Sequence, residues 1–282
     1  MWLFFTLLAG ILWGVGQVII KKGFNNLPPL FNNVLAAIII PLIMIPLSLI
    51  NGIKFDLVWS VLPLTFVIAI LFLSYYYIIG MGQVAFTGTI IGTSPLFAIL
   101  LSVVFLHENP SIFQKLAIFL IILGTTLIAV PDKVTTIKDL KLGSWFWWAI
   151  CTAIAVGCAD FFIKILINHS DVYTYLFTYS LCLIVVSILS IFFDKKGRAA
   201  MPAFTLKKYL PTLIGVVIME IAFVSYHFAL AQGLVSVVSP VSSTYIPITA
   251  LLAWIFLKEK INKMHCTGIV LAAIGVIFVG IT

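Results

Sequence analysis

Charged residues are scarce in this chain. Asp, Glu, Lys and Arg make up 9% of its 282 residues, against about 25% in a soluble domain. No polar stretch is long enough to be a water-soluble domain. The longest, Pro131–Gly143 and Asp194–Tyr209, are linkers too short to enclose a core. Catalytic and metal-binding patterns are missing as well. There is no HExxH, no GxSxG and no clustered His/Asp/Cys, and the contiguous His169-Ser170-Asp171 cannot form a triad by adjacency alone. The four cysteines, Cys151, Cys158, Cys182 and Cys266, form no CxxC or metal spacing. They read as small buried hydrophobes. No nucleotide-binding loop is present, which argues against ATP-driven work by this chain alone. No cofactor is expected.

What the chain does have is apolar surface. It is 63% hydrophobic, with a mean hydropathy of +1.24. Its solvent is expected to be lipid. The net charge of +7 sits in short loops between apolar runs and does not suggest nucleic acid. A helix needs about 20 apolar residues to cross a bilayer. Ten stretches qualify, at about 2–20, 30–50, 58–79, 84–106, 112–130, 144–167, 173–193, 209–230, 235–257 and 264–281. The first, Met1–Ile20, has no basic residue before it and no small-residue cleavage pattern. It reads as a retained helix and not a secretory signal.

The chain also contains itself twice. At an offset of 151 (226 − 75), Tyr75 meets Tyr226, Gly82 meets Gly233, Val84 meets Val235, Thr93 meets Thr244 and Gly124 meets Gly275. Over the same stretch FLHE (Phe105–Glu108) meets FLKE (Phe256–Glu259). Upstream, at an offset of 143 (154 − 11), Ile11, Gly14, Ile20 and Lys21 meet Ile154, Gly157, Ile163 and Lys164. The loop Asp194–Tyr209 is longer than its counterpart Asn51–Val58, which accounts for the change of offset. Spans 1–5 and 6–10 are then two repeats: 1–130 and 144–282, joined by a linker at 131–143. An odd number of spans per repeat makes the second copy enter the membrane upside down relative to the first.

The first span, AGILWGVGQVIIKKG (Ala9–Gly23) with Pro28 and Pro29 after it, carries a family resemblance. Two repeat-ending signatures add to it, FLHENPSIFQKLAIFLIILGTTLI (Phe105–Ile128) and FLKEKINKMHCTGIVLAAIGVIFVGI (Phe256–Ile281). On these motifs the chain resembles the drug/metabolite transporter superfamily, in its ten-helix form with two EamA-like repeats. The resemblance covers nearly the whole chain. It implies an all-α membrane fold, transport of a small metabolite, both termini in the cytoplasm, and a cavity lined by spans 1, 3, 4, 6, 8 and 9. The lysines imply the opposite orientation. Thirteen of sixteen Lys/Arg fall on one side, with only Lys54, Lys115 and Lys164 on the other. The positive-inside rule then puts both termini outside.

Charge inside a membrane is costly and tends to mark function. Glu220, midway along span 8, is the first candidate to bind a coupling proton. Its neighbour His227 lies two turns on, on the same helix face. The plainer reading is a neutral acid bridging helices. Asp160 is the second coupling candidate, and its repeat mate is Gln17. The plainer reading there is a self-neutralising i,i+4 pair with Lys164. Trp13 and Gln17 could present an aromatic face and an amide to a ligand, whereas Gly14 and Gly16 read as packing. Two hydroxyl- and glycine-rich runs, Phe86–Pro95 and Ser236–Thr249, open spans 4 and 9. They nominate Thr93, Ser94, Ser243, Thr244 and Tyr245 as cavity residues, or as helix bridges. The tyrosines Tyr75–Tyr77 read as an interfacial belt, and His107, His169 and His265 as solvated.

The composite expectation is a secondary transporter for a small amino-acid-like, sugar or drug-like compound, working by alternating access and coupled to protons through Glu220 or Asp160. Its partners are a small-molecule substrate and the lipid bilayer, as a monomer or weak homodimer. The rival readings are a polytopic receptor and an intramembrane enzyme without a recognisable motif.

Overall fold

The computed structural model describes residues 1–23, 28–81, 90–129, 144–201, 206–258 and 261–281. The linker 131–143, Glu259 and the Phe86–Thr89 part of the first hydroxyl-rich run lie outside the described residues. In the first half the helices are α1 (Trp2–Gly23), α2 (Pro29–Asn51), α3 (Phe55–Met81), α4 (Ser94–Phe105) and α5 (Ile112–Ala129). In the second they are α6 (Ser144–His169), α7 (Val172–Phe193), the short α8 (Lys195–Ala199), α9 (Leu206–Gln232), α10 (Val235–Ser242), α11 (Tyr245–Leu257) and α12 (Lys263–Gly280).

Apolar side chains in lipid leave the backbone no water to bond, so it must satisfy itself as helix. Side chains cap the polar ends between helices. Asp171 accepts from Thr174 N at the start of α7, and Asn262 accepts from His265 N at the start of α12. Pro29 and Pro95 sit in the first turns of α2 and α4, where their missing N–H costs nothing.

Large apolar side chains cover the outside, among them Phe4, Leu42, Trp59, Phe119, Trp147, Phe193 and Ile277. A water-soluble monomer does not carry such a surface. Among the described residues, eight helices are long and apolar enough to cross a membrane, α10 and α11 counting as one. Two shorter apolar helices, Ser94–Phe105 and Ile112–Ile128, accompany them. The protein is a multi-pass membrane protein. Its lipid-facing exterior corrects the expectation for the cysteines. Cys182 is buried, but Cys151 and Cys266 are exposed. A small apolar side chain is as much at home against lipid as in a core.

The main packing runs between the two halves of the chain. Helix α1 lies on α9 and α11, α6 on α4 and α3, α2 on α7, and α5 on α12. Close approach depends on small residues. A Cβ added at Gly124 would lie 2.5 Å from the carbonyl oxygen of Gly268, and the reverse substitution meets the Gly124 oxygen at the same distance. Gly14 brings α1 against Ile248 and Thr249 of α11, while Gly157 brings α6 against Phe97 and Ala98 of α4. The sequence pairs Gly14 with Gly157, and Ile248 and Thr249 with Phe97 and Ala98 (248 − 97 = 249 − 98 = 151). Duplicated glycines therefore meet duplicated partners.

Two backbone features repeat in the same register. His107 and Lys258 are the non-glycine residues of positive φ among those described, at 53° and 55°. Each lies just beyond a helix end, within the matched FLHE and FLKE segments. The second feature is a break. A two-residue turn at Gly92-Thr93 precedes α4, and one at Ser243-Thr244 separates α10 from α11. Thr93 N donates to Ile90 O at 3.0 Å, and Thr244 N to Val241 O at 3.1 Å.

Candidate functional site

A cavity of about 190 Å³ lies among the helices of the two halves. Its polar lining, among the described residues, comprises Gln17 of α1, Ser94 of α4, Asp160 of α6, Glu220 of α9, Ser239 and Ser242 of α10, and Ser243 in the break. Rings form the rest of the wall: Trp13, Phe72, Tyr179, Phe223, Tyr226 and Tyr245. Trp13 lies 5.3 Å from the Tyr226 ring and 6.0 Å from the Tyr245 ring, centroid to centroid. Such spacings are ordinary aromatic packing, so Trp13 is held in place by both neighbours. Helices α2 and α7 also contribute, through Ala36, Ile40, Tyr179 and Leu183. The sequence placed no lining on them. They join because they cross each other and close one flank of the cavity.

Seven of the ten nominated residues line this space: Trp13, Gln17, Ser94, Asp160, Glu220, Ser243 and Tyr245. Three do not. Thr93 donates its hydroxyl to the Ile90 carbonyl at 2.7 Å, closing the turn before α4. Thr244 is buried against α1, where a Cβ at Gly10 would lie 2.8 Å from its hydroxyl oxygen. His227 stacks on Tyr175 with centroids 5.3 Å apart and meets Phe223 at a tilt, 4.1 Å away. Its Nδ1 lies 2.7 Å from the Phe223 carbonyl oxygen. The shared helix face of Glu220 and His227 is real, but two turns further on that face meets α7 and not the cavity.

The two carboxyls are held differently. Asp160, 6% exposed, accepts a 2.6 Å hydrogen bond from the Ser239 hydroxyl. The Tyr226 ring stands beside it, yet the Tyr226 hydroxyl is buried without a hydrogen bond of good geometry. Glu220 is 5% exposed and lines the cavity. No described residue offers it a hydrogen bond or an ion pair. Gln17 completes the polar set, accepting from the Thr249 hydroxyl at 3.4 Å.

The expected Asp160–Lys164 pair does not form. Lys164 turns to the end of α9, where its ammonium donates to the carbonyls of Leu230 at 2.6 Å, Gly233 at 3.1 Å and Ala231 at 3.4 Å. A cation there meets the negative end of a helix and its unpaired carbonyls. Three acceptors on another helix outweigh one turn of shared helix face.

Glu108 makes a connection that the sequence left open. Its carboxylate accepts from Val235 N and Ser236 N, both at 2.8 Å, and from the Ser236 hydroxyl at 2.6 Å. A carboxylate from the first half thus caps α10 of the second. The Tyr77 hydroxyl likewise donates to Asp194 at 2.9 Å, tying the end of α3 to the end of α7. The bond ties two helix ends together; the side chains of Tyr75 and Tyr76 lie outside those described.

Helices that span, an apolar exterior and a polar cavity inside together define a polytopic α-helical membrane protein with an internal site. Family models agree: the EamA-like transporter family matches residues 1–130 and again 143–281. The chain belongs to the EamA-like transporter family, whose members are membrane transporters. A curated relative, an uncharacterized protein of Methanocaldococcus jannaschii, is 31% identical over 134 residues, covering 47% of this chain and 93% of that protein. One crystal structure superposes with a TM-score of 0.77 at 14% identity, covering 99% of this chain and 96% of its own. At that identity the likeness speaks to the fold alone.

Proposed function

We propose that the protein is a secondary transporter for a small metabolite, built from two inverted five-span repeats at 1–130 and 144–282 with a linker at 131–143. The observation that carries this reading is the pairing of Gly14 with Ile248 and Thr249 beside that of Gly157 with Phe97 and Ala98. Equivalent residues making equivalent contacts across the halves are what a two-fold relation between repeats requires. Five spans in each repeat put that axis in the membrane plane. The half-length relative supports a five-span unit. The short helices α4 and α5 complete ten spans in this reading.

Alternating access follows from such an arrangement, because exchanging the conformations of the two halves opens the cavity to the other side. The substrate occupies the space between Trp13, Gln17, Asp160 and Glu220. Glu220 is the coupling group. A lone carboxyl in an apolar wall is costly as an anion, and taking up a proton removes most of that cost. A charge that depends on occupancy gives the two states different affinities, which is what coupling needs.

The test is Glu220→Gln in proteoliposomes, which copies the protonated carboxyl at nearly constant volume. The variant should fold and exchange substrate at equilibrium, yet fail to accumulate it under a pH gradient. Accumulation with unchanged pH dependence would remove Glu220 from the coupling role and leave Asp160 as the next candidate.

A further inference from the structure

We propose that the cavity selects cargo bearing a positively charged amine-type centre on an apolar or aromatic body. The inference rests on the cavity being the substrate site, as proposed above, and adds the charge of what enters it. Two carboxyls, Asp160 and Glu220, line the space, and no Lys, Arg or His does among the described residues. Lys164, one turn from Asp160 on α6, spends its ammonium on three carbonyls at the end of α9, and His227 lies behind Phe223, its Nδ1 2.7 Å from the Phe223 carbonyl oxygen. Among the described residues the site therefore holds acidic groups with no counter-ion of its own.

Glu220 is the sharper of the two. It is 5% exposed, borders the cavity and has no protein partner among the described residues. A buried carboxylate needs a compensating charge and hydrogen-bond donors. An ammonium in the cavity supplies both. The walls suit the same ligand, because Trp13, Tyr226 and Tyr245 form a contiguous aromatic group. Ring faces attract cations, most strongly once water is excluded. They give nothing comparable to an anion.

A helix amino end favours an anion, and α11 begins at the cavity with Tyr245. At the Ser243-Thr244 break, however, the carboxyl end of α10 meets the amino end of α11. Their partial charges are opposite in sign and adjacent. The two carboxyls then set the sign of the field.

The test uses three molecules of near-equal shape that differ in charge: 2-phenylethylammonium, 2-phenylethanol and phenylacetate. Binding to the purified full chain in detergent is read from tryptophan fluorescence. A Trp13→Phe variant identifies the part of the signal that comes from the cavity. The cation should bind at least tenfold more tightly than the alcohol, with phenylacetate weakest. Glu220→Gln should bring cation and alcohol to within about twofold of each other. If the alcohol or the acid matches the cation with a Trp13-dependent signal, the charge assignment is wrong while the cavity stands as the site. The same holds if Glu220→Gln leaves the preference intact. If none of the three gives a Trp13-dependent signal, both the charge assignment and the cavity as substrate site fall.

Discussion

Thr93 and Thr244, 151 residues apart (244 − 93), stand immediately before α4 and α11 in the same backbone conformation. Thr93 has φ −84° and ψ −2°, and Thr244 has φ −59° and ψ −11°. Each donates a hydrogen bond from its own N–H to the carbonyl three residues back. Neither hydroxyl points into the cavity. Each threonine closes the turn from which its helix begins, beside Ser94 and Ser243 at the cavity wall.

Close approach at these breaks should make the neighbouring glycines intolerant. A Cβ at Gly157 would overlap the Ser94 carbonyl oxygen, and one at Gly14 would lie 2.5 Å from the Ile248 side chain. Gly157→Leu and Gly14→Leu should each destabilise by about 1–3 kcal/mol or more, as overpacking does. Thermal unfolding of the purified protein in detergent checks this, and a melting temperature unchanged in either variant would contradict it.

Removing the hydroxyl that serves Asp160 has a graded expectation. Ser239→Ala leaves a buried carboxyl short of a donor, a loss of about 1–3 kcal/mol. In an Asp160→Asn background the same change should cost less than half as much. A double-mutant cycle on unfolding free energies measures the coupling. Additive losses would mean that the 2.6 Å contact contributes nothing of its own.

Glu108→Ala should unpin the start of α10, at a cost of about 0.5–2 kcal/mol typical of a lost cap. Glu108→Gln keeps one acceptor and should fall between. Amide exchange at Val235 and Ser236 is the direct readout, rising most in the Ala variant. Equal protection in all three proteins would show that another group can replace the cap.

Lys164→Met should fray the end of α9, seen as faster exchange from Leu230 to Gly233, while Lys164→Arg keeps a donor within reach. Because the lysine is only partly buried and acts at a helix terminus, the stability loss should stay near 1 kcal/mol or below. A loss of several kcal/mol would mean that Lys164 holds α6 and α9 together rather than one helix end.

The membrane class and the doubling were legible because both are written in residue type and spacing. Gly14 and Gly157 align without any structure, and so do Thr93 and Thr244. The cavity was legible to the extent that polar residues in apolar helices must point somewhere sheltered, which found Gln17, Asp160 and Glu220. What stayed hidden was partnership across the chain. Helical periodicity says that Asp160 and Lys164 share a face. It says nothing of Ser239, 79 residues on (239 − 160), or of carbonyls 66 to 69 residues away. His227 failed for the same reason, since the neighbour opposite a helix face changes every two turns. The run Ser236–Thr249 announced a polar stretch of span 9. Only the crossing of α10 and α6 singles out Ser239 as the hydroxyl that meets a carboxyl.

The Glu108 cap carries a consequence for biogenesis. Its acceptor oxygens are synthesised 127 residues before the first of the amides they receive, at Val235 (235 − 108). The ribosome therefore delivers the docking point with the first half, before the helix end that it caps is made. A first half made alone leaves a carboxylate waiting, and a second half made alone carries unpaired donors at the start of α10.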